Sequence, residues 1–392
     1  MNLLLDYQNK INTCLHTLEK KKIIVLSKNF NGITVELSPK NQDTDISCNA
    51  AMIIARFNKT SPVEIAKVLQ ENFLKNFKEF KDIKIAKPGF LNINFTLDFW
   101  LKHLNTINKL KSKFGSTNIK SKKYLVEFVS ANPTGPLHVG HCRGAILGDT
   151  LSNLLLFNGH SVTKEYYVND YGGQIKIFVL SVYYRILEIV DKKKFPQDEN
   201  LYPGDYIIFI ANEIIKSKKI KDYSNFEKIY NTLALEALNC SMNLIKGNLK
   251  TLRIKHDSFV FESKLIKNDW VNKTIEDLKT KNFIYNGKLD SPKGELTKDW
   301  KQRNQLLFKS TKFGDDTDRA LMKGDNTWTY FAGDIAYHAQ KVDRNFDFLI
   351  NVLGADHAGY IKRITAAVTA ISNNKINSIC KVSQLVKLFK NE

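Results

Sequence analysis

Apolar positions in the first part of the chain change from a helical to a strand-like period and back. Met1 to Lys20 and Val63 to Phe80 have the apolar spacing of amphipathic helices, whereas Gly32 to Leu37 alternates as a strand does. Lys87 to Phe95 turns at Pro-Gly and then alternates again. The pattern predicts a small α/β N-terminal domain over residues 1–110.

A second domain is expected over residues 124–392, after a linker at 111–123 that is rich in Lys, Ser, Gly and Asn. Its first part contains a strand, a glycine-containing turn, a helix and a strand, with the regular elements over Tyr124–Val129, Arg143–Phe157 and His160–Tyr167. This order is a βαβ unit. Such a unit requires a parallel sheet with helices on its faces and a ligand at the carboxyl ends of the strands.

The same alternation resumes near the end of the chain. A helix is predicted over Ala332–Val342, a strand over Phe348–Leu353 and a helix over Ala358–Ile371. Residues from about 175 to 300 are mainly helical, with a strand-like piece at Asp257–Glu262, and we interpret them as an insertion. The expected fold is α/β: a Rossmann-like parallel nucleotide-binding sheet with a mainly helical insertion, preceded by the small N-terminal domain.

Length and composition are those of a globular protein with more than one domain. The chain has 392 residues, of which 43% are apolar, and this is more than one hydrophobic core usually serves. It contains no stretch of about 18 uncharged apolar residues, and its start lacks the basic and apolar regions of a signal peptide. We therefore expect a cytoplasmic protein that is not associated with a membrane.

The cysteines and the net charge bear on metals and partners. The five cysteines are far apart and form no Cys-x-x-Cys pair, so we expect neither disulfides nor a zinc or other metal site. A net charge of +19 favours nucleic-acid binding, because lysines near phosphates release counterions. The alternative is a compositional bias, since only eight of the 59 basic residues are arginine and 38 residues are asparagine. Most of the charge would then be solvated surface.

The segment after the first strand of the βαβ unit has the character of a phosphate-binding turn. Asn132-Pro-Thr-Gly-Pro136 forms a rigid turn, and His138-Val-Gly-His141 lies where the next helix starts. Helix N-termini bind anions, and Gly140 lets a nucleotide approach the backbone. Two imidazoles on one helix face can donate hydrogen bonds to polyphosphate oxygens. The alternatives are that His138 and His141 only cap the helix, or that they bind a metal.

The stretch from Ser130 to His141, followed by Arg143-Gly-Ala, resembles the His-Ile-Gly-His element of class I aminoacyl-tRNA synthetases in the form found in arginyl enzymes. The resemblance implies that ATP, with Mg²⁺, and L-arginine form arginyl-adenylate, and that the arginyl group then passes to tRNA. It implies that His138 and His141 are catalytic and stabilise the ATP phosphates. The expected ATP contacts are Ala131, Asn132, Pro133, Thr134, Gly135, Pro136, Leu137, His138, Val139, Gly140 and His141.

A pocket for free arginine must offer carboxylates, preferably one that binds the guanidinium with both oxygens. Acidic residues at strand ends are therefore candidates, although each alone is more often a helix cap or a surface carboxylate. In arginyl synthetases, the residues matching Glu127 and Asn132 hold the backbone end of the amino acid. Those matching Tyr330 and Asp334 hold its guanidinium.

Two further segments resemble the family at less fixed positions. Another arginine contact is expected after the strand that ends at Leu353, where the register leaves both Asp356 and His357 open. Glu165–Gln174 resembles the family segment that lines the pocket and the acceptor end of tRNA. The alternative for this second segment is a plain loop.

The first domain resembles the added N-terminal domain of arginyl synthetases, which contacts the elbow of tRNA. Pro88–Phe95 is similar to the Pro-Gly-Phe-Ile-Asn element of that domain. Phe90, Asn92 and Phe95 are therefore candidates for tRNA contact, because aromatics and amides can stack on and hydrogen-bond an unstacked base. The alternative is a strand with Phe90 and Phe95 in the core.

One family element has no match in the 392 residues: the Lys-Met-Ser-Lys-Ser loop that provides the second ATP contact. Leu321-Met-Lys-Gly precedes the second half of the sheet and is no substitute, and Val386–Glu392 is expected to be the strand that leads into the loop. The anticodon-binding domain would follow. We expect a fragment rather than a shortened paralogue, with little arginine activation by residues 1–392 alone, because the loop supplies charge to the pyrophosphate.

Three functions remain open from the sequence. The first is an arginine–tRNA ligase, expected to be a monomer with tRNA, L-arginine and ATP as partners. The second is a catalytically silent tRNA-binding fragment or paralogue. The third is a class I enzyme for cysteine or lysine, which is disfavoured by the absence of paired cysteines and by the Ala-Asn-Pro-Thr-Gly-Pro form of the motif.

Overall fold

In the computed structural model, which describes residues 2–27, 32–117, 120–289, 303–387 and 389, the chain folds into two units. The first comprises residues 1–119 and the second residues 120–392. Among the helices of the described residues, none is long and apolar enough to cross a membrane.

The first unit contains a four-stranded antiparallel sheet in the order β1-β2-β4-β3, with helices packed against it. Its elements are α1 (Leu3–Lys20), β1 (Val35–Leu37), β2 (Ile46–Cys48), α2 (Ala50–Asn58), α3 (Pro62–Asn76), β3 (Phe80–Ala86), β4 (Phe90–Phe95) and α4 (Leu97–Leu110). The helical prediction over Val63–Phe80 extends four residues too far. Phe77 and Phe80 continue the apolar spacing, but they pack in the core outside the helix.

The second unit is built on a five-stranded parallel sheet in the order β12-β11-β5-β6-β7, beside a small antiparallel sheet in the order β10-β9-β8. Its elements are β5 (Lys123–Glu127), α5 (Val139–Phe157), β6 (Ser161–Val168), α6 (Gly173–Val190), α7 (Asp205–Ser217), α8 (Phe226–Thr251), β7 (Ser258–Phe261), α9 (Glu262–Lys267), α10 (Trp270–Thr280), β8 (Ile284–Gly287), β9 (Gln305–Phe308), β10 (Arg319–Ala320), α11 (Tyr330–Asp343), β11 (Phe348–Gly354), α12 (Ile361–Ser372) and β12 (Asn377–Ser383).

Helices cover both faces of the parallel sheet. α5 and α8 pack on one face against Val126 and Val352, and α11 and α12 pack on the other against Leu125 and Leu349. Successive residues of a strand point to opposite faces, which is why the adjacent Leu125 and Val126 serve different cores. The predicted α/β fold with a parallel sheet is confirmed.

Two strands differ from the sequence prediction. The strand-like piece at Asp257–Glu262 does not belong to an insertion, because β7 pairs in parallel with β6 at the edge of the main sheet. Asn377–Ser383 pairs along the whole of β11 as β12, the last strand of the described residues, and Val386 and Lys387 at the start of the expected strand lie outside any strand. Polar residues interrupt the apolar pattern of β12, so the pattern did not predict this strand. Residues 290–302 of the proposed insertion and residues 388 and 390–392 lie outside the described part of the chain.

Candidate active site

The parallel sheet brings acidic residues at the ends of four strands to one edge. β5 ends at Glu127, and Glu262 follows β7 immediately. Asp170 and Asp356 each lie two residues beyond a strand, β6 and β11 respectively. Parallel strands present their carboxyl ends on the same side, where α/β sheets bind ligands. This edge is therefore rich in carboxylates.

The chain turns sharply after β5. Val129 and Ser130 have φ angles of 70° and 42°, in the left-handed region that side chains other than glycine rarely adopt. Such a conformation costs about 1–3 kcal/mol per residue and persists only where the surroundings hold it. Here the Ser130 hydroxyl donates to Glu127 Oε1 at 2.9 Å and accepts from the Tyr167 N–H at 3.1 Å. These bonds position the segment that leads to the head of α5.

The two histidines of the motif form the head of α5. His138 is the N-cap, and its Nδ1 accepts a hydrogen bond from the Gly140 N–H at 3.2 Å. His141 is the third helical residue, and its Nδ1 accepts from the His138 N–H at 3.3 Å. The rings stack with centroids 3.8 Å apart. Because both Nδ1 atoms accept, we assign the proton of each neutral ring to Nε2, which can then donate to a phosphate oxygen.

The histidine pair is suited to neutral donation. Burial, and then the neighbouring His138, lower the pKa of His141, so its ring is uncharged at pH 7. A Cβ on residue 140 would lie 2.9 Å from His138 Cε1. Gly140 is thus needed to make room for the His138 ring, a reason that the sequence analysis did not give. Both histidines therefore cap the helix through Nδ1. Their Nε2 atoms remain as hydrogen-bond donors.

Two residues at the start of the motif form hydrogen bonds with the segment that resembles the pocket-lining segment of the family. Asn132 Nδ2 donates to Gln174 Oε1 at 2.9 Å, and the Tyr166 hydroxyl donates to the Ala131 carbonyl at 2.8 Å. Both partners belong to Glu165–Gln174. That segment therefore contacts the motif from β6 and from the start of α6.

For two carboxyls near this edge of the sheet, the cost of burial outweighs any stabilisation of the charged form by neighbouring groups. Burial, and then Glu127 and Glu262, raise the pKa of Asp334 to about 7. Burial, and then Asp170, raise the pKa of Glu262 to about 7. The Glu262 carboxylate also lies 3.9 Å from the position of a Cβ on Gly333, the neighbour of Asp334. Clustered carboxyls of this kind would be stabilised by a cation.

Glu127 differs from these two acids because it has a cation of its own. Its Oε2 accepts a hydrogen bond from Lys341 Nζ, which is fully buried and also donates to Asn351 Oδ1 at 2.9 Å. The charge of Glu127 is thus neutralised inside the protein. Asp334 and Glu262 are left as the pair that would attract a cationic substrate.

Glu262 is not among the residues predicted from the sequence. It directly follows a strand, where acidic residues are candidates for arginine contacts. That strand, β7, was expected to belong to the insertion and not to the sheet that forms the site.

Three expected arginine contacts have exposed side chains. Tyr330 is 81% exposed at the first position of α11, with Lys323 Nζ 5.3 Å from its ring centroid. Asp356 and His357 are exposed and pair with each other at 3.3 Å. Among the described residues, no hydrogen bond or ion pair joins these three to Asp334.

The candidate tRNA contacts of the first unit fall into two environments. Phe95 is 4% exposed and stacks on Phe99 with ring centroids 4.1 Å apart. It is therefore part of the core, and the prediction that it contacts a tRNA base is corrected. Phe90 is exposed and lines a groove of about 320 Å³. Asn92 is buried, yet it lines the same groove, and its Oδ1 accepts from the Ser47 hydroxyl at 2.7 Å. The core alternative thus holds for Phe95 and not for Phe90.

All five cysteines are free thiols. Within the ranges that the structure describes, no group of three or more His, Cys, Asp and Glu side chains is arranged to hold a metal ion.

Comparison with known proteins places both units. Residues 103–383 match the family model of tRNA synthetases class I (R), catalytic domain, and residues 6–95 match that of the arginyl tRNA synthetase N terminal domain. The chain is 52% identical over its full length to an arginine–tRNA ligase from Pelagibacter ubique, covering 68% of that protein. It is 44% identical to one from Ehrlichia ruminantium, with 96% of this chain and 66% of that protein covered.

A solved structure adds support for the fold. Thermus thermophilus arginyl-tRNA synthetase superposes with a TM-score of 0.63 and 16% identity, covering 96% of this chain and 65% of that one. The chain spans about two thirds of the length of the relatives that it matches. Since the catalytic-domain match alone covers well over half of the chain and a relative is 52% identical, the chain belongs to the arginyl-tRNA synthetase family.

Proposed function

We propose that this chain carries the active site of an arginine–tRNA ligase. In the first step, an oxygen of the arginine carboxylate attacks the α-phosphorus of ATP, arginyl-adenylate forms and pyrophosphate leaves. In the second step, a hydroxyl of the terminal tRNA ribose attacks the activated carbonyl carbon, and AMP leaves. The enzyme would act as a cytoplasmic monomer with tRNA, L-arginine, ATP and Mg²⁺.

The observation that carries this proposal is the pair of uncompensated carboxyls, Asp334 and Glu262, at the edge of the sheet where the motif turn begins. A guanidinium is planar and presents several N–H donors, so it can engage two carboxylates at once. A lysine ammonium would act as a point charge, and a cysteine side chain would leave both acids unpaired. The site therefore favours arginine over the other two amino acids.

The head of α5 fits a nucleoside triphosphate. Its positive dipole end attracts phosphates, and the Nε2 atoms of His138 and His141 can donate to oxygens on which charge develops. Bound ATP, with its Mg²⁺, would supply the activated phosphoryl centre and the leaving group. The residues of this chain then contribute orientation and charge stabilisation rather than a covalent intermediate.

The remaining site residues take supporting roles in the proposal. Glu127 and Asn132 would hold the backbone end of arginine, with Glu127 kept in place by Ser130 and Lys341. Tyr330, Asp356 and His357 would reach the ligand only after a rearrangement of their exposed side chains. In the first unit, Phe90 and Asn92 would receive an unstacked base of tRNA in the groove that they line.

The test is ATP–pyrophosphate exchange by the full chain in the presence of tRNA, with arginine, lysine and cysteine compared. We expect exchange, which is weak in residues 1–392 alone, to depend on arginine and to be lost on Asp334→Asn, with Glu276→Gln on the exposed face of α10 as the control. Exchange driven by lysine rather than arginine would overturn the assignment of the amino acid. Absence of both exchange and arginine binding would overturn the proposed function.

A further inference from the structure

A groove of about 530 Å³ lies where α8 ends and β7 begins, and the proposed reaction uses none of the residues that line it. Its floor is apolar: Leu249 and Ile254 are 2% and 5% exposed, and Phe259 is half-buried beside them. His256 forms part of the same wall and is 6% exposed. An open apolar groove of this size next to an enzyme's main sheet is a candidate binding surface.

The rim of the groove is strongly basic. The cationic side chains on it, all exposed, are Lys246, Lys250, Arg253 and Lys255. In the described part of the chain, none of the four has an ion pair. The nearest acid in sequence, Asp257, is engaged elsewhere, because its Oδ2 accepts from the Lys164 backbone N–H at 2.9 Å. Four uncompensated cations around an apolar floor are complementary to a ligand that carries several negative charges and a flat or apolar part.

His256 adds a hydrogen-bonding group without a partner. Its Nε2 lies 3.3 Å from the Phe128 carbonyl oxygen, so a neutral ring donates from Nε2. Burial lowers the pKa of His256 to about 4, which keeps the ring neutral at pH 7. Its Nδ1 is then an acceptor, and it is buried with no partner among the described residues. Because this atom is also closed to solvent, His256 contributes to the wall of the groove and not to the binding of a ligand.

We propose that this groove binds an unpaired, single-stranded segment of RNA. The backbone phosphates would lie along the four cations, and a base would stack against Phe259. Basic grooves lined with an aromatic side chain bind single strands in this way, because every base has a face that can stack. The class of occupant rests on the proposed function, in which an RNA is a substrate.

RNA fits the groove better than an acidic peptide does. Carboxylates could pair with the rim, but they would leave the apolar floor and the face of Phe259 uncovered. Lys246 Nζ lies over the Phe259 ring, 4.8 Å from its centroid, so a base that stacks on this face takes the place of the flexible lysine side chain, which remains on the rim. A base would cover the ring, and the adjoining phosphates would reach the rim.

The test is fluorescence anisotropy of a labelled ten-nucleotide single-stranded RNA of mixed sequence, titrated with the full chain without ATP or arginine. Lys250→Ala/Arg253→Ala should weaken binding roughly 20-fold at 0.1 M salt and flatten the salt dependence, as the loss of two phosphate contacts requires. Phe259→Leu keeps the apolar volume and should weaken binding about fivefold or more through lost stacking. The matched control is Lys221→Ala/Lys228→Ala, near the opposite end of α8, which removes the same charge.

The outcomes separate this inference from simple charge attraction and from the proposed function. The inference is overturned if the control pair weakens binding as much as the groove pair, if no RNA binds, or if Phe259→Leu has no effect. It is also overturned if an acidic ten-residue peptide binds the groove as tightly as the RNA. Melting curves of each variant establish that it is folded. Groove-dependent RNA binding with neither arginine binding nor arginine-dependent exchange would support the groove and contradict the proposed function, and the reverse result would do the opposite.

Discussion

Replacing Glu262 by glutamine removes one of the two carboxyls that the proposed function assigns to the arginine guanidinium. Glu262 and Asp334 both have a pKa of about 7, chiefly because of burial. The substitution keeps the shape of the side chain and takes away only its ability to become charged. Arginine binding should therefore weaken while the fold is retained.

The expected magnitude follows from the charges. Losing one partner of a buried charged pair costs about 2–5 kcal/mol, and a half-buried group such as Glu262 falls near the lower end, which corresponds to about a 30-fold rise in Kd. The dependence on pH should change as well. A carboxyl with a pKa of about 7 falls from about 90% to about 10% ionised between pH 8 and pH 6. Arginine affinity should thus fall roughly 100-fold in the native chain, where two such groups must ionise, and roughly tenfold in Glu262→Gln.

The stability of the ligand-free chain should change in the opposite direction. A carboxyl whose pKa is raised by folding from 4.5 to about 7 adds stability at low pH, and that stability is lost as the pH rises through 7. Glu262→Gln removes this penalty, so its melting temperature should exceed that of the native chain at pH 8 and not at pH 5. Weaker arginine binding together with greater stability of the ligand-free chain is expected of a carboxyl that serves ligand binding at the expense of stability.

The assay is isothermal titration calorimetry of arginine at pH 6, 7 and 8, with thermal melts of the ligand-free chains at pH 5 and pH 8. Glu276→Gln is the matched control, because Glu276 is 68% exposed on α10 and pairs only at the surface with Lys279 at 3.4 Å. The reasoning is refuted if Glu262→Gln binds arginine within twofold of the native chain. It is also refuted if the variant retains the full pH dependence.

Two further substitutions test the surroundings of the site. Gly140→Ala should weaken ATP binding about tenfold, measured by calorimetry, with little loss of stability, because the new methyl displaces the His138 ring; unchanged ATP affinity would contradict this. Lys341→Met should lower the free energy of unfolding in urea by about 3–5 kcal/mol, because Glu127 would be buried without its cation. Adding Glu127→Gln to Lys341→Met should restore much of that loss, and a double variant less stable than the single one would count against the ion pair.

Much of the parallel sheet around the motif could be predicted from the local sequence. β5, α5 and β6 lie where the apolar pattern placed them, because each is continuous in sequence and bounded by turn residues. The strand at Phe348–Gly354 was predicted for the same reason. The histidine motif added a helix start, which is also a local property, since capping involves residues two or three positions apart.

Long-range pairing was not accessible in this way. β7 is only four residues long and pairs with β6, which lies about 90 residues earlier, so nothing near it in sequence indicates which sheet it joins. The error on β7 then concealed Glu262. Phe90 and Phe95 posed a related problem: both belong to β4, and only the packed structure shows that Phe95 faces the core formed with Tyr7.

The three acids of the proposed pocket cannot be told apart by their place in the sequence, since each lies in a strand end or a helix next to the same edge. What separates them is a partner. Lys341, 214 positions from Glu127, neutralises that residue, whereas burial and neighbouring carboxyls raise the pKa of Asp334 and Glu262. A cationic side chain that enters the site relieves both effects at once, so the same arrangement that destabilises the ligand-free chain creates the affinity for arginine. Specificity for a guanidinium therefore depends on which acids the fold leaves without a cation, and not on the number of acids at the edge.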